Sequence, residues 1–481
     1  MRSKGKISLK IAAIVVVVIL AISVGAYFLM TQRPQKKGVV LRVITRHGYD
    51  ILDKTKELFL KSKIAKEYNI VDIVWLPIDP GQWIEIIKSS GQKPGKEIDV
   101  AWGGGPTLFD YLAYEGLLKP MNSTLIKEVL KEIPEEINGA PLIRRNEKGE
   151  IIWIAAAISS FGFTINTKVI SELKIPEPKS WIDLANETFA VYLPDSKVGV
   201  ACPTRSTSNT RMYEIILQIY GWKKGWIIIT LMGANSKIFG ESGLVRDAVI
   251  RGDIAVGITI DFYGYTAQIQ NPNCKYVMPD DGTIINGDPI ALLVTSKHPK
   301  EAQAFIAWVL SAEGQKVWLD KNINRLPANP KVFGTPEGKE REDIKRAYEE
   351  TLSKIPIGFS DELALSYENA MRWFFYATIT DAHSKLQEAW MLIVEAKQKE
   401  KIDRNKFIEL IEELADPTKL VFTDPATGKS VTFTQEYAQS INTKLVKDVD
   451  YRNKLLKVWK ESAINRYEKI ISEVKAIIGG G

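Results

Sequence analysis

Hydrophobic positions follow three spacing regimes along this chain. The first regime runs from Ile11 to Met30, twenty positions without a charged side chain, opening IAAIVVVVILAI. A helix rising about 1.5 Å per residue over that length reaches across the ~30 Å hydrocarbon layer of a bilayer. The pattern therefore predicts a membrane helix between a basic N-terminus at 1–10 and a polar linker, TQRPQKKG, at 31–38. A cleaved signal carries an apolar run of about 7–15 residues. The length favours a retained anchor, while Val24-Gly25-Ala26 leaves a cleavage site open.

From residue 39 the pattern alternates between β-rich runs and segments of helical period. VVLRVITRHG (39–48), ILDKTKELFLKSKIAKEY (51–68) and IVDIVWLPI (70–78) form a strand–helix–strand unit, followed by the strand EIDVAWGGG (97–105) and the helix TLFDYLAYEG (107–116). A second α/β stretch begins at IIWIAAAI (151–158) and continues through KVGVACP (197–203), the helix TRMYEIILQIYGW, DIAVGITI (253–260) and KYVMPDDGT (275–283). IALLVTS (290–296) and the amphipathic KEAQAFIAWVLSAEGQKVWLD (300–320) then return to the first unit. We expect one unit from 39–145 and 290–340 and a second from 146–289, with short crossings near 146–158 and 284–292. In open α/β sheets the ligand lies outside the carboxyl ends of the strands.

The third regime, 341–481, has helical spacing throughout, interrupted by one hairpin pattern at 420–433. It reads as a helical extension packing on the first unit.

Charge removes one function class. The chain of 481 residues has 64 basic and 58 acidic side chains, but seven of the basic ones and no acid fall in 1–37. The rest is close to neutral and lacks the basic footprint that drives nucleic-acid binding. Two cysteines, Cys202 and Cys274, and three histidines make no zinc or thiolate cluster. In an exported chain the two cysteines form either one disulfide or two buried thiols. Asn122-Ser-Thr and Asn186-Glu-Thr are sequons in that setting. No Ser-His-Asp order, paired-carboxylate motif or GxSxG elbow points to an enzyme, and no cofactor is called for.

Three segments carry candidate chemistry. Trp102-Gly103-Gly104-Gly105-Pro106 joins a strand to a helix, so its backbone N–H groups suit an anion or polar solute; it lacks the lysine and hydroxyl of a P-loop. Pro203 to Thr210, with Thr204, Arg205 and Ser206, has the same placement. Asp261-Phe262-Tyr263-Gly264-Tyr265 follows a strand. Its Tyr263 and Tyr265 suit either stacking on an organic solute or, with a carboxylate, a hard cation such as ferric iron. His47 ends the first strand, where a lone histidine is as ordinary as a structural group. Four basic residues before the apolar run and three after it leave orientation undecided.

EIDVAWGGGPTLFDYLAYEGLLKPMN (97–122), SSFGFTINTKVISELKIPEPKSWIDLAN (159–186), DFYGYT (261–266) and LSAEGQKVWL (310–319) together make the chain resemble the extracellular solute-binding proteins of ABC transporters. It is similar to their family 1, with the type II periplasmic-binding fold, near the ferric iron, thiamine and phosphorylated-solute subgroup. The resemblance covers about 39–335. It implies an α/β fold of two lobes, with the N-terminal transmembrane helix and C-terminal helical extension added, and it orients the body outward. It also implies a monomer that hands a small solute to a permease with ATPase subunits. The family's ligand-contacting turns fall on Trp102, Gly103, Gly104 and Gly105, on Ser159 and Ser160, on Thr204, Arg205 and Ser206, and on Asp261, Tyr263 and Tyr265. The expected solute is anionic or phosphate-bearing. The alternatives are a ferric iron-binding protein, using Tyr263 and Tyr265, and a surface-anchored hydrolase. The ferric subgroup presents two adjacent tyrosines, whereas Gly264 separates them here.

Overall fold

The computed structural model describes residues 38–479 except 138, 355 and 356. The expected membrane helix at 11–30 lies outside the described residues. Among the described residues no helix is long and apolar enough to cross a membrane.

In the first lobe, β1 (Val39–Thr45) leads through α1 (Tyr49–Lys61) to β2 (Ile70–Pro77), and β3 (Val100–Trp102) leads into α2 (Pro106–Tyr114). β1 runs parallel to both β2 and β3, because each connection crosses back over the sheet as a helix. β4 (Ile151–Asn166) then spans both lobes. Its sequence, IIWIAAAISSFGFTIN, is apolar on both faces, as a strand flanked by neighbours and covered on two sides must be.

The second lobe continues with β5 (Val198–Ala201), α3 (Thr207–Tyr220), α4 (Trp222–Asn235), β6 (Ser236–Phe239), α5 (Ser242–Arg251), β7 (Val256–Ile260), α6 (Asp261–Gln270) and β8 (Cys274–Val277). β9 (Ile285–Leu292) returns to the first lobe, followed by α7 (Pro299–Leu310) and the short β10 (Leu326–Pro327). The strand order is β2-β1-β3-β9-β4-β7-β5-β6, with β8 and β10 also on β4. Ile154 to Ser160 of β4 pair with β9, and Phe161 to Ile165 pair with β7. The change of partner therefore falls at Ser160–Phe161, a little beyond the crossing expected at 146–158. The Thr283 hydroxyl donates to Phe161 O at 2.6 Å and accepts from Phe161 N at 3.3 Å, tying the two crossing segments together.

The remaining helices are α8 (Glu342–Ser353), α9 (Asp361–Phe375), α10 (His383–Gln398), α11 (Arg404–Ala415), α12 (Gln435–Lys447) and α13 (Val449–Gly479), with the hairpin β11 (Val421–Thr423) and β12 (Ser430–Thr432) between α11 and α12. Here the expectation is corrected. Only α8 joins the first lobe's core, through Ile344, Ala347 and Tyr348. α9 to α13 share one core with α3 and α4 of the second lobe. The reason is α4, whose Trp226, Ile228, Ile229, Leu231 and Met232 are all buried. A helix apolar on nearly every side needs cover beyond its sheet, and α10 and α11 supply it. Phe374 stacks on Phe433 at 3.7 Å and meets Trp459 edge-on at 5.3 Å.

Cys202 and Cys274 are separate buried thiols, not a disulfide. Cys202 follows β5 and Cys274 opens β8, and β7 and β4 lie between those strands.

Candidate functional site

A cleft of about 680 Å³ lies between the lobes. Its floor is assembled from three chain segments far apart in sequence. β1 delivers His47 just past its end, β9 delivers Asp288, and β10, paired to Ala157 and Ile158 of β4, brings Arg325 beside Ser159. Arg325 Nη1 donates to Asp288 Oδ2 at 2.8 Å and Nη2 to Ser159 Oγ at 3.3 Å. Its guanidinium lies over the rings of Phe262, at 4.8 Å, and Trp318, at 5.3 Å. The buried Nε has no partner among the described residues. Arg325 Nη1 is also 3.4 Å from His47 Nδ1. A guanidinium only donates, so Nδ1 accepts and the histidine proton sits on Nε2, 3.4 Å from Asp288 Oδ2. Burial lowers the His47 pKa to about 4, so at neutral pH the floor is an Arg325–Asp288 pair beside a neutral imidazole.

The walls carry further charge of both signs, with Asp50 and Glu241 in the lining beside three arginines. Arg46 bonds Ile78 O at 3.3 Å and the exposed Asp79 at 3.1 Å. Arg246 pairs with Asp247 at 2.8 Å and lies over the Tyr263 ring at 4.8 Å. Arg205 is exposed on the cleft wall, with no ion pair among the described residues. Ser206 caps α3, accepting from Asn209 N, and its hydroxyl meets that of Ser242 at 2.5 Å.

The candidate residues divide. Gly104, Gly105, Ser159, Arg205, Ser206 and Tyr263 line the cleft. Gly104 N donates to Asp288 Oδ1 at 3.1 Å, and Gly105 precedes α2. Trp102, Gly103, Ser160, Thr204, Asp261 and Tyr265 do not line it. Trp102 is a core side chain meeting His47 edge-on at 4.5 Å. Gly103 has φ +81, and a Cβ there would stand 2.7 Å from His47 Nε2. It shapes the floor from below. Ser160 N and Phe262 N both donate to the buried Asp261 carboxylate at 2.7 Å. Burial raises the Asp261 pKa to about 7. Thr204 O accepts from Arg372 at 3.2 Å.

Asp261 to Tyr265 follow β7 directly, as expected, and form the start of α6. Residues two apart on a helix point to different sides. Tyr263 therefore faces the cleft while Tyr265 packs on Tyr276, ring centroids 5.4 Å apart. The two phenols are not brought together.

The sequence model of the bacterial extracellular solute-binding proteins matches residues 52–316, more than half of the chain. The chain belongs to this family. The phosphoglycerate transport regulatory protein PgtC of Salmonella typhimurium is 25% identical over 249 residues, 51% of this chain and 58% of the relative. An Fe(3+)-binding periplasmic protein of Serratia marcescens is 25% identical over 177 residues, 35% of this chain and 50% of the relative. The chain thus spans less than two thirds of either relative. Among solved structures, the periplasmic binding protein AfuA of Actinobacillus pleuropneumoniae, with exogenous fructose-6-phosphate bound, superposes with a TM-score of 0.52 at 17% identity. The match takes in 66% of this solute-binding chain and 99% of AfuA, which establishes the two-lobed α/β fold and leaves about a third of this chain beyond it.

Proposed function

We propose that the chain is the substrate-binding component of an ABC importer. It captures a small anionic, phosphate-bearing solute between its lobes without turning it over and delivers it to a permease with ATPase subunits, acting as a monomer. The observation carrying this reading is that arginines from both lobes share one cleft: Arg46 and Arg325 from the first, Arg205 and Arg246 from the second. Arg325, Arg246 and Arg46 are balanced by Asp288, Asp247 and Asp79, which leaves Arg205 without an ion pair among the described residues. The N-termini of α2 and α3 open on the same space. Helix ends contribute roughly 0.3–1 kcal/mol each toward an anion, against the ~8 kcal/mol of micromolar affinity. The relative named for phosphoglycerate transport and the neighbour holding fructose-6-phosphate support the same solute class. A ferric site built on both tyrosines is disfavoured, since Tyr265 is committed to the core. The uncharged run at 11–30 serves as the membrane anchor that leaves the body outside the cell.

Calorimetry on the purified full-length protein with fructose 6-phosphate and with fructose tests the reading. The phosphate ester binds and the neutral sugar does not, and Arg205→Ala weakens the ester at least about tenfold, as loss of a charge-assisted hydrogen bond of ~1.5–3 kcal/mol requires. Equal binding of both sugars, or release of free phosphate from the bound ester, contradicts it.

A further inference from the structure

The helices beyond residue 341 do more than cover α4: they reach the cleft. One side of α9 presents Glu368, Asn369 and Arg372 to it, Arg372 lying one turn on from the adjacent pair, three residues from Asn369 and four from Glu368. Arg372 holds the loop that carries Arg205 and Ser206, donating to Pro203 O at 3.0 Å and Thr204 O at 3.2 Å. Opposite, Tyr111 of α2 donates to Leu365 O at 3.2 Å and accepts from Asn369 Nδ2 at 3.3 Å. Between them, on α3, sits Glu214. Its Oε2 accepts from Arg211 at 3.1 Å, but Oε1 is buried against the cleft with no partner among the described residues. An unpaired buried carboxyl oxygen is costly to keep unless something else is to bind it.

Charge in this corner is balanced. Arg211 also pairs with Asp361 at 2.6 Å, and Arg372 pairs with Glu368 at 3.3 Å. Burial pushes the Glu214 pKa up, against the pull of the Arg211 guanidinium beside it, which favours the neutral carboxyl form. A neutral carboxyl group both donates and accepts, as does the Asn369 amide, and that is the combination a hydroxyl group needs.

We propose that Glu214, Asn369 and Tyr111 form a second compartment of the solute cleft, walled by the C-terminal helices, which binds the hydroxyl-bearing part of the solute while the arginine-lined part holds its negative group. The inference rests on the anionic-solute reading above and adds the substrate class: a phosphate ester of a polyhydroxyl compound. A solute-binding chain of this family without the α9 face would lack this compartment.

The test compares inorganic phosphate with fructose 6-phosphate on the full-length protein by calorimetry. The wild type binds fructose 6-phosphate at least tenfold more tightly than phosphate. Glu214→Leu and Asn369→Leu each remove that margin and leave phosphate within about twofold, while Glu214→Gln, which keeps a donor and an acceptor, retains it. Circular dichroism melts identify folded variants, and Glu214→Gln reports even if the leucine variants unfold, because loss of the margin there contradicts the proposal. An unchanged margin in the leucine variants, or equal loss for both probes, overturns the second compartment alone. Binding of neither probe by the wild type overturns the anionic-solute reading and this inference with it.

Discussion

The phenol of Tyr111, on the first lobe, donates across the cleft to the carbonyl oxygen of Leu365 in the helical layer at 3.2 Å. Asn442 Nδ2 donates to the same oxygen at 2.9 Å, so the contact is anchored in α12 as well as α9. Because α9 is welded to the second lobe, this side chain links the lobes away from their crossing strands, as Asn324 does where it donates to Thr266 Oγ1 at 3.2 Å. Tyr111→Phe keeps the ring and removes the link. Urea unfolding should show a loss of about 0.5–1.5 kcal/mol, the net value of such a bond, and small-angle scattering of the unliganded protein should show a larger radius of gyration. No change in either would mean that the contact does not restrain the lobes.

His47 predicts an acid-side stability slope. Its folded pKa, about 4, lies below the ordinary value of 6.5. The unfolded chain therefore takes up a proton near pH 6.5 and the fold resists it until about pH 4. Stability falls as pH drops through that window, by about 3 kcal/mol from this group. Asp261 acts oppositely: its pKa is raised from 3.8 to about 7, so its contribution falls as pH rises through that range. The difference between wild type and His47→Gln isolates the histidine. The variant should lose less stability between pH 6.5 and 4, and parallel curves would contradict a buried neutral imidazole.

Gly103 is where the floor tolerates no side chain. Its φ of +81 disfavours any L-residue and a Cβ would collide with the His47 ring. Gly103→Ala should cost about 1–3 kcal/mol, read as a lowered melting temperature, whereas the same change at Gly81, with open space around its Cβ position, should cost far less.

How much of this was legible in the sequence follows from the range of each signal. Alternating strand and helix periods marked the two-lobed α/β body, and DPATGK between two β-rich runs marked the β11–β12 hairpin, because those patterns are local. The partner of the helical layer was not legible: a helical period says that one face is buried, not against what, and α4's apolar surface drew the layer to the second lobe. Gly104, Gly105, Arg205 and Ser206 stood out because turns before helices have a composition. Arg325 and Asp288 did not, since only the pairing of β10 and β9 with β4 brings them to His47. Asp261 to Tyr265 do follow a strand as read, but five residues carry too little period to show that a helix starts there and turns Tyr265 away from Tyr263.

The parting of the two tyrosines has its own test. Tyr263 faces the cleft beneath Arg246, while Tyr265 packs against Tyr276. Tyr263→Phe should change solute affinity, by up to about tenfold for one lost hydrogen bond, with little effect on melting. Tyr265→Phe should leave affinity unchanged. Equal losses of affinity in the two variants, with a visible phenolate-to-metal band lost in both, would return the ferric reading.

The central claim is that the cleft takes a phosphate-bearing organic anion, and its most direct test is native mass spectrometry of the full-length protein purified without added ligand. The account predicts an added mass of a few hundred daltons or less that denaturation releases as a phosphorylated, hydroxyl-bearing small molecule, and that is absent from Arg205→Ala. Release of ferric iron or of a neutral oligosaccharide instead would contradict it.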